Sequence, residues 1–201
     1  MRNYAEELAY WYFRLNGFFV LDNYVLDRNR QEENKTYETD IIAIRFPYVY
    51  EEIGGREDDW DKDLKNMIPK FKENIIGVIC EVKSGECGYL DRDLFIESKV
   101  RRCLQRLGFF RNGSDEFKKF YDKLLNNSSY YYKNYTIVKI LISQSRHTGG
   151  KFENILLSDI DTFITKRIKK YSEKYSDRNF FNSNLIQYKI WESKKLMKKV
   201  E

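Results

Sequence analysis

Ile75-Ile76-Gly77-Val78-Ile79-Cys80-Glu81-Val82-Lys83 is an apolar run that closes on an acid, a valine and a lysine. Its near-continuous apolar character reads as a strand buried on both faces. Alternate side chains of a strand share a face, so Glu81 and Lys83 point together while Cys80 and Val82 point into the opposite layer. A charged pair at the end of a buried strand sets the question that the rest of the sequence answers.

Upstream, Tyr37 to Phe46 is a second apolar strand, interrupted by one acid in Thr39-Asp40-Ile41-Ile42-Ala43-Ile44. Residues 47–74 form an insertion between these two strands. It is acidic at Glu51-Glu52 and Glu57-Asp58-Asp59, and Trp60, Leu64, Ile68 and Phe71 are spaced like one helix face that Pro69 would strain. Residues 4–16 read as an amphipathic helix with Ala5, Leu8, Ala9, Tyr12 and Asn16 on one side, stopped by Gly17. Phe18 to Leu21 starts the first strand, and the polar stretch Asp27 to Lys35 reads as a loop or hairpin tip.

Downstream, the spacing of Ile96, Val100, Cys103, Leu104 and Leu107 predicts a helix over Asp91–Leu107, ended by Gly108. A shorter helix follows near Asp115–Leu125, then a fourth strand at Tyr135–Ser143. Ser158 reads as the N-cap of a last helix whose buried face is Ile160, Phe163, Ile164, Ile168 and Tyr171. The tail is ambiguous: Ile186, Tyr188 and Ile190 alternate like a strand before lysines take over. The order predicts an α/β fold, one mixed sheet with helices on both faces and a meander in its first three strands.

The chain has 201 residues, 42% of them apolar and 33% charged, which suits one globular domain over 1–201 with a basic C-terminal extension from about 176. Met1-Arg2-Asn3-Tyr4-Ala5-Glu6-Glu7 lacks the basic and apolar regions of a signal peptide. No apolar stretch approaches the ~20 residues of a membrane span. The expectation is a cytoplasmic protein without a membrane partner. Cys80, Cys87 and Cys103 show no paired spacing, and with one histidine a zinc site is not expected. The net charge of +5 is mild and does not by itself specify nucleic-acid binding.

Asp40 and Glu81 on neighbouring strands would repel unless a divalent cation lies between them. Oxygen ligands suit Mg²⁺, which takes one or two carboxylates with substrate phosphate and water. A lysine alongside can orient a water and offset phosphate charge. The alternative is an ordinary Asp40–Lys83 ion pair at a sheet edge, with Glu81 solvated.

Thr39-Asp40 followed by Glu81-Val82-Lys83 resembles the signature of the PD-(D/E)xK, or restriction-endonuclease-like, nucleases. Glu6-Glu7-Leu8-Ala9, Gly17-Phe18-Phe19-Val20-Leu21 and Glu38-Thr39-Asp40-Ile41-Ile42-Ala43 are similar to the amino-terminal half of archaeal Holliday junction resolvases. The likeness covers Tyr4 to Leu107. The first motif lacks its proline, and the gap from Asp40 to Glu81 is long. The resemblance implies an αβββαβ core and a metal-dependent nuclease, an endodeoxyribonuclease by preference. Asp40, Glu81 and the backbone carbonyl of Val82 would bind Mg²⁺, with Mn²⁺ as substitute, and Lys83 would position the attacking water. The family's helix glutamate falls on Glu6, on the border of the apolar face, rather than on Glu7, which should be solvated. DNA is the implied partner, RNA remains a candidate, and a homodimer would supply the two sites that cutting both strands requires.

Lysines or glutamines of the helix after the motif often stand near the site in such nucleases. Lys99 is the first choice and Gln105 the second, with Arg92, Arg101, Arg102 and Arg106 on the flanks. Lys166, Arg167, Lys169, Lys170 and Lys174, with Lys194, Lys195, Lys198 and Lys199, make a basic region suited either to a nucleic-acid backbone or to solubility. Tyr130-Tyr131-Tyr132 reads as core-edge or loop packing, and His147 as a loop residue without a catalytic part.

Overall fold

A computed structural model of the protein describes residues 3–28, 36–85, 94–148, 150–176 and 183–197. The expected α/β class is found. The element order is α1 (Tyr4–Leu15), β1 (Phe19–Arg28), β2 (Thr36–Arg45), α2 (Lys62–Met67), β3 (Ile75–Lys83), α3 (Glu97–Leu107), α4 (Asp115–Asn126), β4 (Ser129–Tyr132), β5 (Tyr135–Ser143), β6 (Glu153–Leu156), α5 (Leu157–Lys170), α6 (Ser172–Ser176) and α7 (Asn184–Met197).

The six strands form one mixed sheet in the order β1-β2-β3-β5-β4. The first three are the expected antiparallel meander, and β5 joins β3 in parallel from Ile75↔Tyr135 to Lys83↔Ser143. The outer edge of β5 is shared: β4 pairs antiparallel with its first half and β6 parallel with its second. The central strands β3 and β5 are the most apolar and are buried along nearly their whole length, as a strand covered on both faces must be.

Alternation then sorts the core into two layers. Ile76, Val78, Cys80 and Val82 meet Leu8, Ala9 and Tyr12 of α1 and Ile160 and Ile164 of α5 on one face. Ile42, Ile79 and Ile137 meet Val100, Cys103 and Leu104 of α3 and Phe117 and Phe120 of α4 on the other. Gly77 faces this second layer. A methyl there would come 2.9 Å from Leu107 and 3.0 Å from Phe109, so its lack of a side chain lets α3's end settle on the sheet. Gly17, at φ +82°, turns α1 into β1 where a Cβ would strike Val49 at 2.8 Å.

Several expectations are corrected. α3 begins at Glu97, with Leu94 to Ile96 non-helical before it. α5 begins at Leu157 and has no side-chain cap, so Ser158 is a first-turn residue and not the N-cap. The 184–197 segment is helix α7 throughout, not a strand. Tyr130 to Tyr132 belong to strand β4 and not to a loop, and Tyr130 and Tyr132 pack at the core edge as expected. In the insertion only Lys62–Met67 are α-helical, with a single 3-10 turn at Glu57–Asp59 before them, but Trp60, Leu64, Ile68 and Phe71 are all buried as their spacing suggested. Of the tip expected over Asp27–Lys35, Asp27 and Arg28 belong to strand β1; residues 29–35, and Cys87, Arg92, Lys198 and Lys199, lie outside the described residues. Among the described residues no helix is long and apolar enough to cross a membrane.

The insertion is tied to the far helix layer by charge. Arg167 of α5 is buried and donates to the carbonyls of Gly54 and Asp59. Asp59 also accepts from Lys170 Nζ at 2.7 Å and Tyr171 Oη at 2.8 Å.

Candidate active site

The β2–β3 ladder has its last paired rung at Ile41↔Cys80. One step further, Asp40 stands across from Glu81, and paired residues of a sheet share a face. Beyond the rung the Val82 amide donates to Asp40 Oδ2 at 2.6 Å. A side-chain carboxylate thus accepts the amide where a ladder carbonyl would. The Val82 carbonyl leaves the strand on the same side as its amide, toward Asp40.

Glu81 is 4% exposed and lies under α3, where its Oε1 accepts from Lys99 Nζ at 2.8 Å. Lys99 is itself buried. Burial pushes the Glu81 carboxyl up to about 7; the Asp40 charge adds to the rise, while Lys99 and Lys83 oppose it. Cys103, one turn beyond Lys99, registers the same neighbour. Its thiol is pushed up to about 12 by burial first and then by the Glu81 charge. Lys83 closes β3 on the Glu81 face and is partly exposed. Asp40, Glu81, Lys83 and Lys99 therefore come together at the C-terminal ends of the parallel strands, on the α3 side.

Glu6 sits differently. It is the third residue of α1 and forms a capping box with Asn3: the Glu6 amide donates to Asn3 Oδ1 at 2.9 Å, and the Asn3 amide donates to Glu6 Oε2 at 3.3 Å. The far end of α1 is fixed at the other end of β2, where Arg45 Nε donates to the Asn16 carbonyl at 3.1 Å. α1 therefore runs back along β2 and carries Glu6 to the same end of the sheet as Asp40, with its carboxylate bonded to Asn3 rather than to the strand acids. Glu7 is not simply solvated: it accepts from Ser183 Oγ at 2.5 Å, just before α7.

The remaining candidates divide by place. Arg102, Gln105 and Arg106 lie together on the outer side of α3 in one open groove, which Arg101, Tyr24 and Tyr121 also line. Gln105 bonds Asn112 at 2.9 Å and does not reach Glu81's layer. Lys166 and Lys169 are exposed on α5, whereas Lys170 is spent on Asp58 and Asp59 of the insertion. His147 is held through its backbone amide by Asn154 Oδ1 at 2.8 Å. Tyr24 and Tyr121 were missed by sequence reasoning. Tyr24 stands on β1 and Tyr121 on the next helix, α4, and no local pattern joins them to α3.

Among the described residues no three or more His, Cys, Asp or Glu side chains gather around one point. The Asp40–Glu81 pair with the Val82 carbonyl is an all-oxygen set of two carboxylates and one carbonyl. That set suits Mg²⁺, whose other positions are ordinarily filled by water and phosphate. Burial is the main cause of the raised Glu81 carboxyl, and the Asp40 charge adds a smaller part. No family model, curated protein or solved structure matches the chain.

Proposed function

We propose that the protein is a metal-dependent nuclease with a restriction-endonuclease-like core that hydrolyses DNA phosphodiester bonds, acting as an endodeoxyribonuclease. The observation that carries this reading is the meeting of Asp40 and Glu81 where the β2–β3 ladder ends, with Val82's amide on Asp40 and Lys83 beside them. Asp40, Glu81 and the Val82 carbonyl would hold the ion. Mg²⁺ bound there supplies Lewis acidity toward the scissile phosphate and acidifies a water. The hydrogen bond that Asp40 accepts from the Val82 amide fixes its carboxylate and leaves it little rotational freedom. Lys83's ammonium orients the attacking water and offsets charge that grows on the phosphate oxygens. Lys99 keeps Glu81 aimed across the end of the strand.

The decisive test is cleavage of plasmid, linear, single-stranded and four-way-junction DNA, and of RNA, with and without Mg²⁺ or Mn²⁺. Lys83→Ala is assayed beside the wild type, with thermal melting as the check on folding. Metal-dependent cutting lost in a folded Lys83→Ala variant is expected. Equal cutting by the two proteins would refute the assignment.

One observation favours a second reading. Glu81's oxygen is already taken by Lys99 at 2.8 Å, an ion pair that competes with a metal. A nuclease-fold protein that binds nucleic acid without cutting would keep such a pair. A calorimetric Mg²⁺ titration separates the two, since only the enzyme needs Asp40 and Glu81 to take up the ion.

A further inference from the structure

The groove on the outer side of α3 carries a net positive lining. Among the described residues that line it are Arg101, Arg102 and Arg106, with Glu97 as the carboxylate. Its aromatic components come from opposite sides. Tyr24 reaches it from β1, and Tyr121 from α4 with its hydroxyl donating to the Glu97 carbonyl at 3.2 Å. Tyr24 follows Asn23, which adopts φ +48° in the middle of β1 at the level of Asp40. Beyond that left-handed residue Tyr24 packs with the α3 layer, and the Arg106 guanidinium lies 5.2 Å from its ring centre.

We propose that this groove holds a single, unpaired nucleic-acid strand next to the Asp40–Glu81 end, with phosphates on the arginines and bases against Tyr24 and Tyr121. The inference rests on the nuclease reading and narrows its substrate to DNA that presents a single-stranded segment. Charge complementarity gives the occupant. Guanidinium forks match phosphate geometry, and Arg102 and Arg106 are one helical turn apart, about 5–6 Å between Cβ atoms, so one strand can run along both. The rings give the strandedness. Arginines alone would grip duplex phosphates equally well, whereas a tyrosine face in a recess can be used only by a base that is not already stacked and paired. The Arg106–Tyr24 contact makes a composite platform of the kind on which bases stack in sequence-tolerant sites. Position gives the connection to chemistry. Arg102 is one turn from Lys99 on the same helix, so a strand in the groove passes beside the residue that holds Glu81.

The test is fluorescence anisotropy of a labelled oligothymidylate and of a duplex of equal length, in EDTA so that nothing is cut, across a series of salt concentrations. The wild type, Arg101→Ala/Arg106→Ala and Tyr121→Leu are compared, each with a melting curve. The wild type is expected to bind the single strand more tightly than the duplex. The double arginine variant should lose about tenfold or more in affinity for the single strand, and its salt slope should fall by about 1.4, or about 0.7 for each lost phosphate contact. Tyr121→Leu should weaken the single strand about tenfold and leave the duplex unchanged. Unchanged single-strand affinity and slope in the arginine variant, or equal losses on both ligands in both variants, overturn the proposal. The two readings fail separately. Cleavage by a protein whose groove variants bind normally removes the groove and keeps the nuclease. Groove-dependent binding with no cleavage of any substrate removes the nuclease and keeps the groove.

Discussion

Replacing Glu81 by Gln should make the protein more stable, and only above a definite pH. Glu81 is 4% exposed, and its carboxyl titrates near 7 in the folded chain against an ordinary value of 4.5. A carboxyl raised on folding binds its proton more tightly in the native state than in the unfolded one. Stability is therefore full below about pH 4.5, falls as pH rises through the window from 4.5 to 7, and stays low above it. The difference of about 2.5 units corresponds to about 3 kcal/mol. Glutamine is close in shape to the protonated acid and cannot ionise. The value near 7 already contains the help of Lys99, so the variant's advantage is the ionisation cost alone. Glu81→Gln should melt within a degree or two of the wild type at pH 4.5 and about 6–12 °C above it at pH 8, taking about 2–4 °C per kcal/mol for a chain of this size. Differential scanning calorimetry in metal-free buffer reads both. Mg²⁺ should then narrow the gap, since an ion held by the two carboxylates stabilises only the wild type. A gap that is the same at pH 4.5 and pH 8 would show that Glu81 titrates as a solvated acid, and would remove the desolvated two-carboxylate site with it.

Two further outcomes follow from buried cations away from that site. Lys139 on β5 is 1% exposed, and its ammonium is pushed down to about 8 by burial and by Lys151. A base lowered on folding is a burden while charged: the cost is complete below about pH 8 and fades as pH rises toward 10.5, so Lys139→Met should stabilise by up to about 3 kcal/mol at pH 7 and much less at pH 10, in chemical denaturation at the two pH values. An equal effect at both would contradict the burial of its charge. Arg167→Ala removes the donors to the Gly54 and Asp59 carbonyls and the cation 5.3 Å from the Phe163 ring. It should cost about 2–4 kcal/mol and bring protease cleavage within 47–74 forward in time, whereas wild-type melting and digestion would show the insertion to be held by its apolar residues alone.

What the sequence made legible follows from which periods it left unambiguous. β3 and β5 are long apolar runs bounded by polar residues, and their burial needed no partner to be inferred. α7 was ambiguous for a definable reason. Ile186 and Ile190 are four apart, a spacing that fits both a strand and a helix, and Tyr188 between them completed a false alternation. In the structure Ile186, Lys189 and Ser193 are buried at helical intervals, and Tyr188 is exposed. The buried polar members hid the true period. In the insertion, Trp60, Leu64, Ile68 and Phe71 were correctly read as buried, although helix α2 stops at Met67, just short of Pro69. Burial was legible there, and the secondary structure was not.

The candidate site was legible to the extent that it depends on strands. An acid inside an apolar strand is conspicuous, and Asp40 and Glu81 needed only a neighbouring pair of strands to meet. What could not be read is why they meet at a usable place. The β2–β3 ladder stops at Ile41↔Cys80, so the Val82 amide has no ladder carbonyl beyond it and bonds Asp40 instead. A strand end is where main-chain donors and acceptors lack partners, and a carboxylate there gains a hydrogen bond that a mid-strand acid would have to do without. The parallel pairing of β3 with β5 brings both strands' C-terminal ends to that one edge, and α3, which follows β3, lies over it with Lys99 turned inward. The same helix turns Arg101 and Arg106 outward. One helix thus carries the cation that holds Glu81 and the cations that line the groove. Were binding in the groove to shift α3 along its axis, both sets would move together and Glu81 would feel it through Lys99. An oligonucleotide that fills the groove should change the apparent pKa of Glu81, and a single strand that leaves it unmoved would show α3 to be a rigid wall between two independent sites.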